Sequence, residues 1–164
     1  MAPNYDYNKR RISGSQAAIE RERKRRQSLW EQIKRQHGDC EGVPNAVLRD
    51  LRINRGRTIF LDYEEFTKEL DEANGVTVSI SVKQRDAGAS AIAVPYPNSK
   101  NVNRDKAAIN ASKNCRQLGL PIFVVFRNRD DKLRDVRLGH IEACNDELRQ
   151  FDISIRSERA QAST

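Results

Sequence analysis

The stretch GVTVSISVKQRD, residues 75–86, alternates apolar and polar residues and then turns basic at Lys83 and Arg85. A strand ending in lysine can set an ammonium group against a phosphate, either to hold it or to stabilise charge that develops as a phosphodiester is cut. Cutting by that route also needs carboxylates on adjacent strands, so that a magnesium ion finds several oxygen ligands. Asp62 is placed to offer one. Two residues before the lysine stands Ser81, a neutral hydroxyl that does not replace a carboxylate. These residue types favour holding a polyanion over cutting it.

Two further stretches carry nucleic-acid chemistry. In AIAVPYPNSKNVNR, Tyr96 stands between Pro95 and Pro97 and is followed by Asn98 and Lys100. An exposed aromatic held by prolines is a stacking surface for a single strand or a base taken out of a duplex. The structural alternative is a buried lid over a sheet. In RERKRR, residues 21–26, Arg23, Lys24, Arg25 and Arg26 wrap round a helix whose nearest acids are Glu20 and Glu22. Such a cluster gains affinity for a phosphate backbone by releasing counterions, and by itself reads no bases. The alternative there is a solvated helix end.

Charge and composition point the same way. The 164 residues carry a net charge of +7, which favours an anionic partner. Residues 1–38 hold ten Lys/Arg against four Asp/Glu; the rest hold twenty against nineteen. The pattern is a basic arm on a nearly neutral body. Cys40, Cys115 and Cys144 form no CxxC pair, and the histidines are His37 and His140 only. Neither a disulfide framework nor a metal or cofactor site is expected. There is no Gly-rich phosphate loop, GxSxG elbow or HExxH. No apolar run reaches spanning length and no signal-peptide core is present, so the expectation is a cytoplasmic protein.

The elements expected to position these groups are α+β. Residues 1–14 read as a disordered tail and 15–38 as a basic helix, with Ser13 and Gln16 as a capping box. Leu29, Trp30 and Ile33 should dock that helix, RERKRR should face solvent, and Gly38 should end it. A body over 39–156 begins with a short helix after Pro44. It continues with a strand over 57–62, a helix or loop in EEFTKELDEAN, and the strand of residues 76–83. One face of that strand should be buried and the other wet. AIAVP is a further strand, NVNRDKAAINASKNCRQL a helix ended by Gly119, and LPIFVVF a central strand. Two strands joined by charged hairpins close the body, and 157–164 form a second disordered tail. The fold class is therefore N-terminal helices followed by a mixed or antiparallel curled sheet, or a barrel, with one packed helix.

Two resemblances bear on function. The lysine-ended strand, the helix and LPIFVVF resemble the PD-(D/E)xK nucleases, which carry a carboxylate where this chain has Ser81. An active site built on Asp62 and Lys83 is the alternative reading. Over residues 42–156, VPNAVLRDLRINRGRTIFLDYE, GVTVSISV, NRDKAAINASKNCRQLGLPIFVVF and VRLGHIEACNDELRQFDISI resemble the region preceding the HNH nuclease domain of bacterial restriction-type endonucleases. That resemblance implies a non-catalytic recognition domain with an SRA- or PUA-like barrel, binding double-stranded DNA and, in some members, sensing modified cytosine. Lys83, Arg85, Tyr96, Asn98 and Lys100 would then line one reading surface, with Arg23, Lys24, Arg25 and Arg26 adding backbone contacts. A third class is an adaptor that binds RNA or a ribonucleoprotein.

Overall fold

The computed structural model describes residues 7–56, 58–62, 75–83 and 87–156. The expected tails at 1–6 and 157–164, the segment EEFTKELDEAN and Arg85 lie outside the described residues. Helix α1 (Tyr7–His37) is followed by β1 (Val43–Pro44), α2 (Asn45–Asp50), β2 (Ile59–Asp62), β3 (Val76–Val82) and β4 (Ala91–Pro95). Helix α3 (Val102–Leu118) then leads to β5 (Ile122–Arg127), β6 (Leu133–Asn145) and β7 (Gln150–Ile155). The strands form one mixed sheet in the order β2-β3-β5-β6-β7-β4, with β1 beside the start of β6. The α+β class holds, and the sheet is open: β2 and β4 are its two edges and do not pair with each other.

Only β3 and β5 run parallel, and the physical reason lies in LPIFVVF. Parallel strands need a crossover rather than a hairpin, and here α3 is part of it. Ile122, Val124 and Phe126 of β5 join one buried cluster with Ala108, Ile109, Cys115 and Leu118 of α3. Phe123 and Val125 join a second cluster with Trp30 and Ile33 of α1 and with Leu48 and Ile53. Each fully buried large side chain contributes about 1.5–3 kcal/mol relative to its exposed state. A strand apolar on both faces is stable only between two covering layers.

The same sandwich corrects the expectation that β3 has a wet face. Its only residue that is not buried is Ser81, which is half-buried. Thr77 and Ser79 are fully buried and bonded: Thr77 Oγ1 lies 2.8 Å from Ser112 Oγ of α3, and Ser79 Oγ accepts from Asn54 Nδ2 at 3.2 Å. The side-chain phase also slips. The β2–β3 register shifts between Phe60 and Leu61, and a bulge of this kind breaks strict alternation. Val78 therefore packs on the α1 side while Ile80 and Val82 pack on the α3 side.

Helix α1 is longer than expected. It begins at Tyr7, so residues 7–14 of the expected tail are helical and Ser13 lies inside the helix instead of capping it. Trp30 and Ile33 dock as foreseen, and Gly38 adopts φ +58° just past the end. The RERKRR segment departs from expectation because α1 crosses the carboxyl end of α3. Ala18 and Ile19 join the α3-side cluster, and Arg23 Nη2 lies 3.4 Å from Leu118 O. At the crossing, Glu22 and Arg26 are buried. Arg26 donates through Nε to Glu22 at 2.7 Å and through Nη1 to Pro121 O at 2.8 Å.

Burial alone would raise the Glu22 carboxyl. The hydrogen bond from Arg25 and the charges of Arg26 and Arg25 outweigh it and hold the group below its ordinary 4.5. A depressed carboxyl contributes stability above its unfolded value and loses it as pH falls through the folded one. Removing one partner of a buried pair strands the other. Arg26→Ala should therefore cost about 3–5 kcal/mol, and Glu22→Leu/Arg26→Met distinctly less, in urea unfolding. Below pH 4.5 the native protein should lose stability and Glu22→Gln should lose less of it.

Candidate nucleic-acid interface

Parallel pairing brings two strand ends together. Val82 lies opposite Phe126, so the residues that follow, Lys83 and Arg127, leave the sheet side by side. Arg127 pairs with Arg134 at the start of β6, where β1 also pairs. The chain passes from β1 directly into α2, which carries Arg49. The four cations meet at a cleft of about 210 Å³. Leu48, Val82 and Val125 give it apolar surface, and Asn45, Asn54, Gly56, Thr58 and Ser81 supply polar groups.

Short bonds hold the walls. Asn45 donates from its backbone to Lys132 O at 2.9 Å and from Nδ2 to Asp131 O at 3.1 Å, tying α2 to the β5–β6 turn. Asn54 Nδ2 donates to Ser81 Oγ at 2.9 Å as well as to Ser79, while its Oδ1 accepts from Gly56 N at 2.7 Å. That last bond closes a turn in which Gly56 takes φ +87°, a conformation glycine adopts at no steric cost. Arg134 Nη1 donates to the carbonyls of Asp131 and Leu133, which aims its guanidinium. Ser81, at the position where a metal ligand would stand, is thus a structural partner of Asn54.

The electrostatics set this cleft apart. Several cations elsewhere are matched: Arg23 with Glu20, Arg25 and Arg26 with Glu22, Lys34 with Glu31, Lys113 with Asp146, and Arg137 with Glu41. None of Arg49, Lys83, Arg127 and Arg134 forms an ion pair with a described residue, and no described carboxylate lines the cleft. Four like charges around one concavity raise its potential and attract an anion. The location is the one open sheets favour for ligands, outside the carboxyl ends of parallel strands.

The expected reading surface does not assemble. Lys83 is exposed in the cleft. Tyr96 is only 5% exposed. Its ring packs on Phe151 at 4.5 Å, and its hydroxyl donates to Asp146 at 2.8 Å. Burial, with that bond, pushes the phenol up. Tyr96 is therefore a core residue at the sheet's end and no stacking platform. It is also remote. Phe126 faces Asp135 and Pro95 faces Gln150, whose other partner is Asn145. Asp135 and Asn145 are ten steps apart on β6, roughly 30 Å of strand. Asn98 and Lys100 are exposed at that far end, in the loop whose Asn101 caps α3.

The basic helix corrects too. Arg26 is buried, and Arg23 and Arg25 are tied to Glu20 and Glu22; of the four, Lys24 is exposed without an ion pair to a described residue. This cluster borders Pro121, at the opposite end of β5 from Arg127. The register also separates Asp62 from Lys83. Asp62 lies opposite Val76, at the start of β3, so six further residues intervene before the lysine.

Arg49, Arg127 and Arg134 were not among the expected site residues. One signal was present: a basic residue directly follows the last apolar residue of each strand, Lys83 after Val82 and Arg127 after Phe126. It becomes informative only once the two strands are known to be parallel neighbours. No family model, curated protein or solved structure matches the chain. Among the described residues no helix is long and apolar enough to cross a membrane.

Asn54 and the cations should separate in mutagenesis. Asn54→Ala leaves buried partners unmet and should cost about 1–3 kcal/mol of stability. Lys83→Ala and Arg127→Ala remove exposed, unpaired side chains and should shift it by less than about 0.5 kcal/mol. Thermal unfolding of the three variants checks both.

Proposed function

We propose that this chain is a nucleic-acid-binding domain that holds duplex DNA through its phosphates, with Arg49, Lys83, Arg127 and Arg134 as the contacting cations. The observation that carries the reading is the gathering of these four groups at one cleft without a described carboxylate to neutralise them. Guanidinium groups bind phosphate oxygens in a planar fork, and lysine adds a mobile point charge. Together they release counterions from the DNA.

The donor set supports recognition over cleavage. Asparagine, serine, threonine, arginine and lysine suit an anion, whereas a divalent metal needs several negatively charged oxygens. A site shared by Asp62 and Lys83 loses support from their separation along β3. The resemblance over residues 42–156 would put such a domain in a restriction-type system. Reading of modified cytosine, which that resemblance also implies, loses its aromatic platform with Tyr96 buried. Among the described residues no aromatic side chain lines the cleft. The proposal accordingly rests on phosphate contact.

Binding of a fluorescent duplex, measured across a series of salt concentrations, tests it. Log affinity should fall linearly with log salt, and Lys83→Ala or Arg127→Ala should each weaken binding and lower the slope by about 1. Lys100→Ala, at the far end of the sheet, should change neither. A slope unaltered in the Arg49/Lys83/Arg127/Arg134 quadruple alanine variant would remove the cleft from the interface. Preference for a structured RNA over the duplex in direct competition would move the protein to the adaptor class.

A further inference from the structure

The cleft is better matched to one kind of phosphate than to the run of phosphates along a duplex. We infer that it takes a phosphomonoester, the terminal phosphate of a nucleic-acid strand; the inference rests on the proposed binding role and specifies its ligand.

Charge is the first argument. An internal phosphodiester carries one negative charge, whereas a phosphate monoester carries about −1.5 to −2 near neutral pH. Four cations without a described counter-ion exceed what a single diester can offset. Asp50, Asp130 and Asp131 are nearby in sequence, yet none of them lines the cleft. The third non-bridging oxygen of a monoester also gives the forked donors of Arg49, Arg127 and Arg134 an acceptor that a diester lacks.

Shape is the second. About 210 Å³ holds on the order of seven waters at their liquid volume of ~30 Å³ each, room for a phosphate with part of its sugar. Its lining comes from α2, the turn at residues 54–58, the ends of β3 and β5, and the start of β6. The sheet thus forms one boundary, and α2 and the turn rise beside it. The body of a duplex cannot sink into a space of that size and meets the cations only at its rim. The end of a strand can.

The experiment compares short duplexes of one sequence carrying a 5′-phosphate, a 3′-phosphate or hydroxyl ends with a closed circular duplex of the same composition. A phosphorylated end should bind roughly tenfold more tightly than hydroxyl ends or the circle, as expected for charge-assisted bonds at a fixed site. Arg127→Ala should erase the preference while leaving salt-dependent binding of the circle measurable, and Arg127→Lys should restore it in part. Thermal unfolding confirms that each variant is folded. A nucleoside monophosphate arm distinguishes the two sources of the same group. Displacement of the phosphorylated duplex should need a large excess of mononucleotide. Tighter binding of the mononucleotide than of the duplex would overturn the strand-end assignment. Equal affinity for all four DNAs would overturn it as well and leave DNA binding standing, whereas no binding to any of them would overturn both readings.

Discussion

Ile122, Val124 and Phe126 press on one layer and Phe123 and Val125 on the other, so β5 is buried from Ile122 to Phe126 and meets water only at Arg127. A strand of that kind must lie inside a sheet with a helix on each face. α3 covers one side and α1 with α2 the other. Because α3 lies between β3 and β5 in the chain, the two strands run parallel. Their carboxyl ends then emerge together, and Lys83 and Arg127 become neighbours. The cationic cleft is thus a consequence of how β5 is buried. Mutations that loosen β5 should disturb it without touching a cation.

The distribution of ion pairs follows from the same architecture. Where α1 crosses α3, desolvation makes an unpaired charge expensive, and Glu22 is bonded to both Arg25 and Arg26. At the cleft the cations remain next to solvent, so they can stand unpaired at modest cost. The two basic regions therefore differ in kind. One cements a helix crossing. The other leaves its charge facing solvent.

Several elements were legible before any coordinates. Gly119 ends α3, and of the expected apolar face Ala108, Ala111, Cys115 and Leu118 are buried as the helical period requires, while Ala107 is half-buried. Trp30 and Ile33 dock α1, and LPIFVVF is the central strand. Tyr96 was misplaced because a tyrosine between prolines reads equally as a platform or a lid; the contacts with Phe151 and Asp146 choose the lid. β3 was misread as half wet because serine and threonine look solvent-facing, whereas Ser112 and Asn54 satisfy Thr77 and Ser79 from within.

What residue order alone determined is local: helix ends, apolar periods, the surplus of positive charge, and a lysine closing a strand. These depend on neighbours a few positions apart, where backbone geometry acts directly. Which charges stay free, and which of them meet, depended on the packing of distant segments. Arg49, Lys83, Arg127 and Arg134 are spread over more than half of the chain, and only the parallel pairing of β3 with β5 and the return of β6 beside it draw them to one cleft. The same packing drew Arg26 out of solvent, because a helix crossing closes over whatever side chain lies at its centre.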